Sequence, residues 1–134
     1  WNCSNRKSKK FVTIKTIRKM SSENNKLIAE FMGLPKVDCN IGTSYGYITE
    51  GYMHPKVDVP VTTLGMQYKY SWDWLMPVVE KIEGLRDSNG NAYRFTIDMC
   101  NAQIEGTNIE ILGGRFKLDT TYDAVVEFIN QLNN

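Results

Sequence analysis

The chain has 134 residues and 15.4 kDa, with 42% hydrophobic and 23% charged residues, a composition that fits one globular domain with a single core. Its longest apolar runs fall far short of the roughly 20 residues of a membrane-spanning helix, so no membrane partner is expected. The net charge of +1 conceals an asymmetry: Arg6, Lys7, Lys9, Lys10, Lys15, Arg18 and Lys19 precede the first acid, Glu23, and from Met20 onward nine basic residues face fifteen acidic ones, a net of −6.

Residues 1–19 therefore read as a basic N-terminal extension, either a disordered arm or an added strand over Phe11–Ile17, and residues 20–134 as a single α+β domain. The chain opens on Trp1, and Met20 is a candidate natural start. Ser21 or Ser22 caps a predicted helix running to Met32, with Glu23 in its first turn, Leu27, Ile28 and Phe31 on its apolar face, and Lys26 and Glu30 as an outer i,i+4 pair. Gly33 and Pro35 stop it.

From Lys36 to Tyr70 no helical period persists. Short strands are predicted at Tyr45–Ile48, Val57–Thr63, where Pro60 demands an edge or a bulge, and Met66–Tyr70. This stretch holds the candidate interaction surface, Tyr45, Tyr47, Tyr52, His54 and Tyr68, against the competing reading that these tyrosines finish the edge of the core.

Ser71–Leu85 is the densest apolar segment. Ser71 is the expected N-cap, and Trp72, Leu75, Val79 and Ile82 follow one face that Trp74, Val78 and Leu85 widen. Pro77 predicts a kink or an irregular first turn. A buried Trp72 implies that truncation to alanine costs about 3–5 kcal/mol. A stacking platform for bases, built from Trp72 and Trp74 with Tyr68 and Tyr70, is the alternative, but the accompanying basic groove is missing from the surrounding residues.

Arg86–Ala92 reads as a polar turn with Asn89-Gly90 at its tip. Tyr93–Met99 alternates apolar and polar residues as a half-buried strand, and Asn108–Leu112 is expected to pair with it, ending at Gly113-Gly114. Asp119 or Thr120 caps the last helix, with Thr120 and Asp123 at capping-box spacing and Tyr122, Val125, Val126, Ile129 and Leu132 facing the core. The expected architecture is α+β, about three helices on a small, mainly antiparallel sheet.

No constellation of catalytic residues emerges. Cys3, Cys39 and Cys100 are widely spaced and His54 is the single histidine, so zinc and Cys/His nucleophile patterns are not met, and reduced thiols in an intracellular setting are expected. Gly42, Gly46 and Gly51 match no phosphate-binding spacing, Gly113-Gly114-Arg115 is at most an anion nest, and Glu80 and Glu83 read as solvated charges. No cofactor is expected.

The blocks Asn24–Gly33, Ser71–Glu83 and Ala124–Ile129 resemble a group of small uncharacterised proteins encoded by bacteriophages and prophages, over Met20 to the C-terminus. That resemblance implies a phage or prophage accessory protein in the cytoplasm of a bacterial host. It carries over no catalytic residue, and it casts residues 1–19 as an extension. The expected function is non-enzymatic binding of a protein partner. The alternatives are nucleic-acid binding through Arg6, Lys7, Lys9 and Lys10, and a small nucleotide-binding protein or enzyme using the glycine loops.

Overall fold

The computed structural model describes residues 14–40, 48–98, 101–114 and 116–134. Among these residues are three helices and two small antiparallel sheets, an α+β fold, gathered into two compact units, Ile14–Met66 and Gln67–Asn134.

The first unit opens with α1, Ile14–Phe31. The helix takes in residues 14–19, expected as arm or strand, and leaves Ser21 and Ser22 in its interior instead of at its cap. No Pro or Gly interrupts residues 14–31, and the β-branched bias of its first turns is a weak preference that an adjoining helix overrides. Its end follows the expected signal. Gly33 adopts φ 71°, its N–H donates to the Glu30 carbonyl at 3.1 Å, and the Leu34 N–H donates to the Ala29 carbonyl at 3.1 Å, which together form a Schellman motif.

Strand β1, Lys36–Asn40, pairs antiparallel with β2, Ile48–Tyr52. Of the expected strands, Val57–Thr63 supplies only a bridge between Val61 and Tyr52, and Met66–Tyr70 ends in a turn. Pro60 lacks an N–H for a longer ladder, and Thr63–Gly65 winds instead into a 3-10 turn capped by the Thr62 hydroxyl. That turn is tied to α1: Asn25 Nδ2 donates to the Thr63 carbonyl at 2.9 Å, and the Ser22 and Thr63 hydroxyls lie 2.7 Å apart. Asn25 is buried, and this bond offsets the cost of hiding its amide.

The second unit is built from α2, Trp72–Glu83, a three-stranded sheet in the order β3-β4-β5, and α3, Lys117–Asn133. Ser71 holds the N-cap position but makes no side-chain cap bond; its carbonyl accepts from both Trp74 and Leu75 N–H. Helix α2 runs through Pro77 without a break. Asp73 and Pro77 are both exposed, so the carbonyl that Pro77 leaves without its helical donor lies on the solvent side. Trp74, Leu75, Val78, Val79 and Ile82 are buried, whereas Trp72 is 38% exposed: the core face is centred on Trp74, a correction to the expected one.

After α2, the polar turn forms as expected. Asp87 Oδ1 accepts from the Asn89 and Asn91 N–H groups at 2.9 Å, Gly90 adopts φ 84°, and Arg86 bridges Ala92. Strand β3 is Arg94–Asp98. Its partner is β4, Asn101–Glu105, and β5, Glu110–Ile111, pairs with β4 and not with β3 as the sequence suggested. The β4 sequence Asn-Ala-Gln-Ile-Glu alternates too, but its apolar residues number two, too few to stand out before pairing was known.

Helix α3 lies chiefly against β4 and also against α2, β3 and β5. It begins one turn earlier than the expected cap. Thr120 and Thr121 are fully buried inside it, their hydroxyls donating to the carbonyls of Phe116 and Lys117 at 2.9 and 2.7 Å, so no capping box forms with Asp123. Tyr122, Val125, Val126 and Ile129 face the core, while Leu132, in the last turn, is half exposed. Each fully buried aliphatic side chain here contributes about 1.5–3 kcal/mol of transfer free energy.

Candidate functional site

Of the five residues expected as an interaction surface, three are described, and all three are buried. Tyr45 and Tyr47 lie outside the described residues. Tyr52 and Tyr68 are each 1% exposed, and His54 is buried. A buried tyrosine ring removes a large apolar area from water. The Tyr52 hydroxyl donates to Glu50 at 3.1 Å, and burial together with that carboxylate pushes its pKa up to about 12. Partial desolvation alone would raise the Glu50 carboxyl, but Tyr52, Lys36 and Lys26 outweigh it and hold it below its usual value; the two ammonium groups stand 3.4 and 3.5 Å away. His54 Nδ1 accepts the Lys56 N–H at 3.1 Å, which places the proton of the neutral ring on Nε2, and burial with the Lys56 charge lowers its pKa.

Arg6, Lys7, Lys9, Lys10, Cys3, Cys100, Gly42, Gly46 and Arg115 lie outside the described residues. Gly51 is buried within β2. Glu83 accepts the Phe95 N–H at 3.1 Å and is therefore a structural acceptor. Among the described residues, no three His, Cys, Asp or Glu groups are placed to hold a metal ion, and no helix is long and apolar enough to cross a membrane.

Large apolar side chains are exposed at Val59, Leu64, Leu112, Phe116 and Leu132, and two aromatic ones, Tyr70 and Trp72, at the entry to α2. The four aromatic residues that could have formed a platform divide into two pairs. Tyr68 and Trp74 pack edge to face inside, with centroids 5.2 Å apart and planes at 84°, whereas Tyr70 is 71% exposed and Trp72 38% exposed. Beside them, Lys69 Nζ sits 5.9 Å from the centroid of the buried Tyr122 ring, a cation–π contact. Burial, then the charge of Asp123 and the nearness of Tyr70, raise the Tyr122 pKa. Asp123 keeps an exposed surface, yet the protein around it displaces enough water to push its carboxyl up to about 6; Lys69 opposes that rise and Asp119 adds to it.

The sequence offers Tyr70 and Trp72 only within a four-residue stacking platform, set below core packing because no basic groove accompanies it and Trp72 keeps helical spacing with Leu75 and Val79. A usable signal existed in the other direction. Trp72, Met76 and Glu80 form an i, i+4, i+8 row ending in a charge, beside Asp73 and Pro77, which marks the solvent side. No protein-family model, no curated protein and no solved structure matches this chain.

Proposed function

We propose that this chain is a non-enzymatic accessory protein of phage or prophage origin, working in the cytoplasm of a bacterial host, that binds a protein partner through the Tyr70–Trp72 edge. The observation that supports this reading is the exposure of Tyr70 and Trp72, two residues apart at the start of α2, next to the anchored Tyr68–Trp74 pair. Exposed tyrosine and tryptophan on a rigid support are the residue types that dominate interface energetics, since they offer large amphipathic area at low entropy cost. The origin rests on the blocks Asn24–Gly33, Ser71–Glu83 and Ala124–Ile129.

The test is affinity capture from a bacterial lysate with the wild-type chain and with the Tyr70→Ala/Trp72→Ala variant, followed by titration of the captured protein. Loss of about 2 kcal/mol or more, roughly a thirtyfold weakening, is expected in the variant. Equal affinity removes the surface, and the absence of any specific protein at micromolar concentration removes the reading. Capture of nucleic acid that weakens steeply with salt, and is lost when Arg6, Lys7, Lys9 and Lys10 are changed to alanine, would transfer the function to the basic segment.

A further inference from the structure

Among the described residues, strand β3 is the outer strand of its sheet, with β4 on one side. The Phe95 N–H turns away from β4 and donates to Glu83 Oε2 at 3.1 Å. Backbone groups alternate along an antiparallel strand, so Phe95 and Ile97 direct their N–H and C=O groups outward along the edge, while Arg94, Thr96 and Asp98 pair with β4. Among the described residues, no group other than the Glu83 carboxylate bonds that edge. Side chains alternate as well. Arg94, Thr96 and Asp98 are exposed; Phe95 and Ile97 lie opposite Ile104 and Ala102 on the face toward α3, where neighbouring Tyr93 meets Phe128 at 5.0 Å. Ile104 and Ala102 are fully buried, but Phe95 and Ile97 are only half-buried, and among the described residues no strand flanks them on the outer side.

The strand Arg94-Phe95-Thr96-Ile97-Asp98 is thus self-complementary about its middle residue: basic, apolar, threonine, apolar, acidic. We infer that this edge pairs with the same edge of a second copy of the chain, antiparallel, with the two-fold axis at Thr96. Arg94 then stands opposite Asp98 of the second copy, and Asp98 opposite its Arg94, so both ends of the pairing join opposite charges. Phe95 and Ile97 exchange backbone hydrogen bonds with Ile97 and Phe95 of the other copy and cover one another's half-exposed side chains. Thr96 meets Thr96 of the second copy as a non-hydrogen-bonded pair. Glu83 is the guard of this edge: it protects the Phe95 N–H in the single chain and must swing aside when a strand adds. The inference uses neither Tyr70 nor Trp72 and stands apart from the proposed partner-binding edge.

Sedimentation velocity of the full chain, under reducing conditions and from micromolar to millimolar concentration, should show a reversible monomer–dimer equilibrium. Arg94→Asp places like charges opposite each other at both ends and should weaken the dimer about tenfold or more, and Asp98→Arg should do the same. A mixture of those two variants should associate again, since every acid of one copy meets an arginine of the other, and the double exchange in one chain should restore the wild-type dimer. Circular dichroism establishes that each variant is folded. In parallel, Thr96→Cys should give a mapped disulfide between the two copies of residue 96, whose Cα atoms in this register lie about 4.5 Å apart, inside the range a disulfide bridges. A chain that stays monomeric throughout, a dimer indifferent to the single exchanges, or single variants that do not complement each other would overturn the inference.

Discussion

In the Gln67–Asn134 unit, α2 and α3 bury continuous apolar faces, and the sheet presents Ala102 and Ile104 to α3. In the Ile14–Met66 unit, α1 buries Ile28 and Ala29, and polar side chains also tie it to the segments that follow: Asn25 and Ser22 to Thr63, and Lys26 to Glu50, which Lys36 of β1 meets as well. The difference teaches where each unit is vulnerable. Apolar burial is spread over many side chains and fails by cavity formation, whereas a buried amide such as that of Asn25 depends on individual hydrogen bonds, the one to the Thr63 carbonyl among them. Ion pairs such as those of Glu50, with both partners about half exposed, add little to either account.

The largest effect separates the two tryptophans of α2. Trp74→Ala should cost about 3–5 kcal/mol in a denaturant titration, since it removes a nearly buried indole and the edge-to-face contact with Tyr68. Trp72→Ala should stay within about 0.5 kcal/mol; equal losses at the two positions would erase the distinction between core and surface drawn here. In the polar unit, Asn25→Ala strips the Thr63 carbonyl of its donor and should cost about 1–3 kcal/mol, with faster amide exchange across Thr63–Gly65. An unchanged exchange pattern would show that this bond is dispensable.

Next comes Gly33→Ala. A Cβ there would meet nothing within 4 Å, so only the left-handed backbone resists it, and the expected cost is about 1–2 kcal/mol. A neutral result would mean that the Schellman turn opens without penalty. The smallest effect concerns pH. The folded chain holds the Asp123 proton more tightly than the unfolded chain, so stability falls as pH rises from about 4 to about 6 and that loss persists above it. Thermal melts of Asp123→Asn should lack this part of the slope and lie above wild type at neutral pH; a wild-type slope in the variant would remove Asp123 as its source.

In both units some features are legible in the sequence and others are not. The end of α1 at Gly33, the Asn89-Gly90 turn, β3 and the apolar face of α3 up to Ile129 were all legible, because a glycine at positive φ, an Asx turn and a hydrophobic period act over a few neighbouring residues. The β1–β2 pairing, the insertion of β4 between β3 and β5, and the burial of Tyr52 and Tyr68 were not, since each depends on which distant segment comes alongside.

The candidate surface followed the same division. Tyrosine-rich composition pointed to residues 36–70, yet composition does not say which rings turn inward. From the sequence alone came the α+β class, the helix and turn signals and the concentration of aromatic residues around Ser71, all consequences of short-range sterics and periodicity. Only the tertiary structure decided that Tyr68 and Trp74 point in while Tyr70 and Trp72 point out, and that β3 ends the described sheet: burial and strand order are set by packing among residues far apart in the chain.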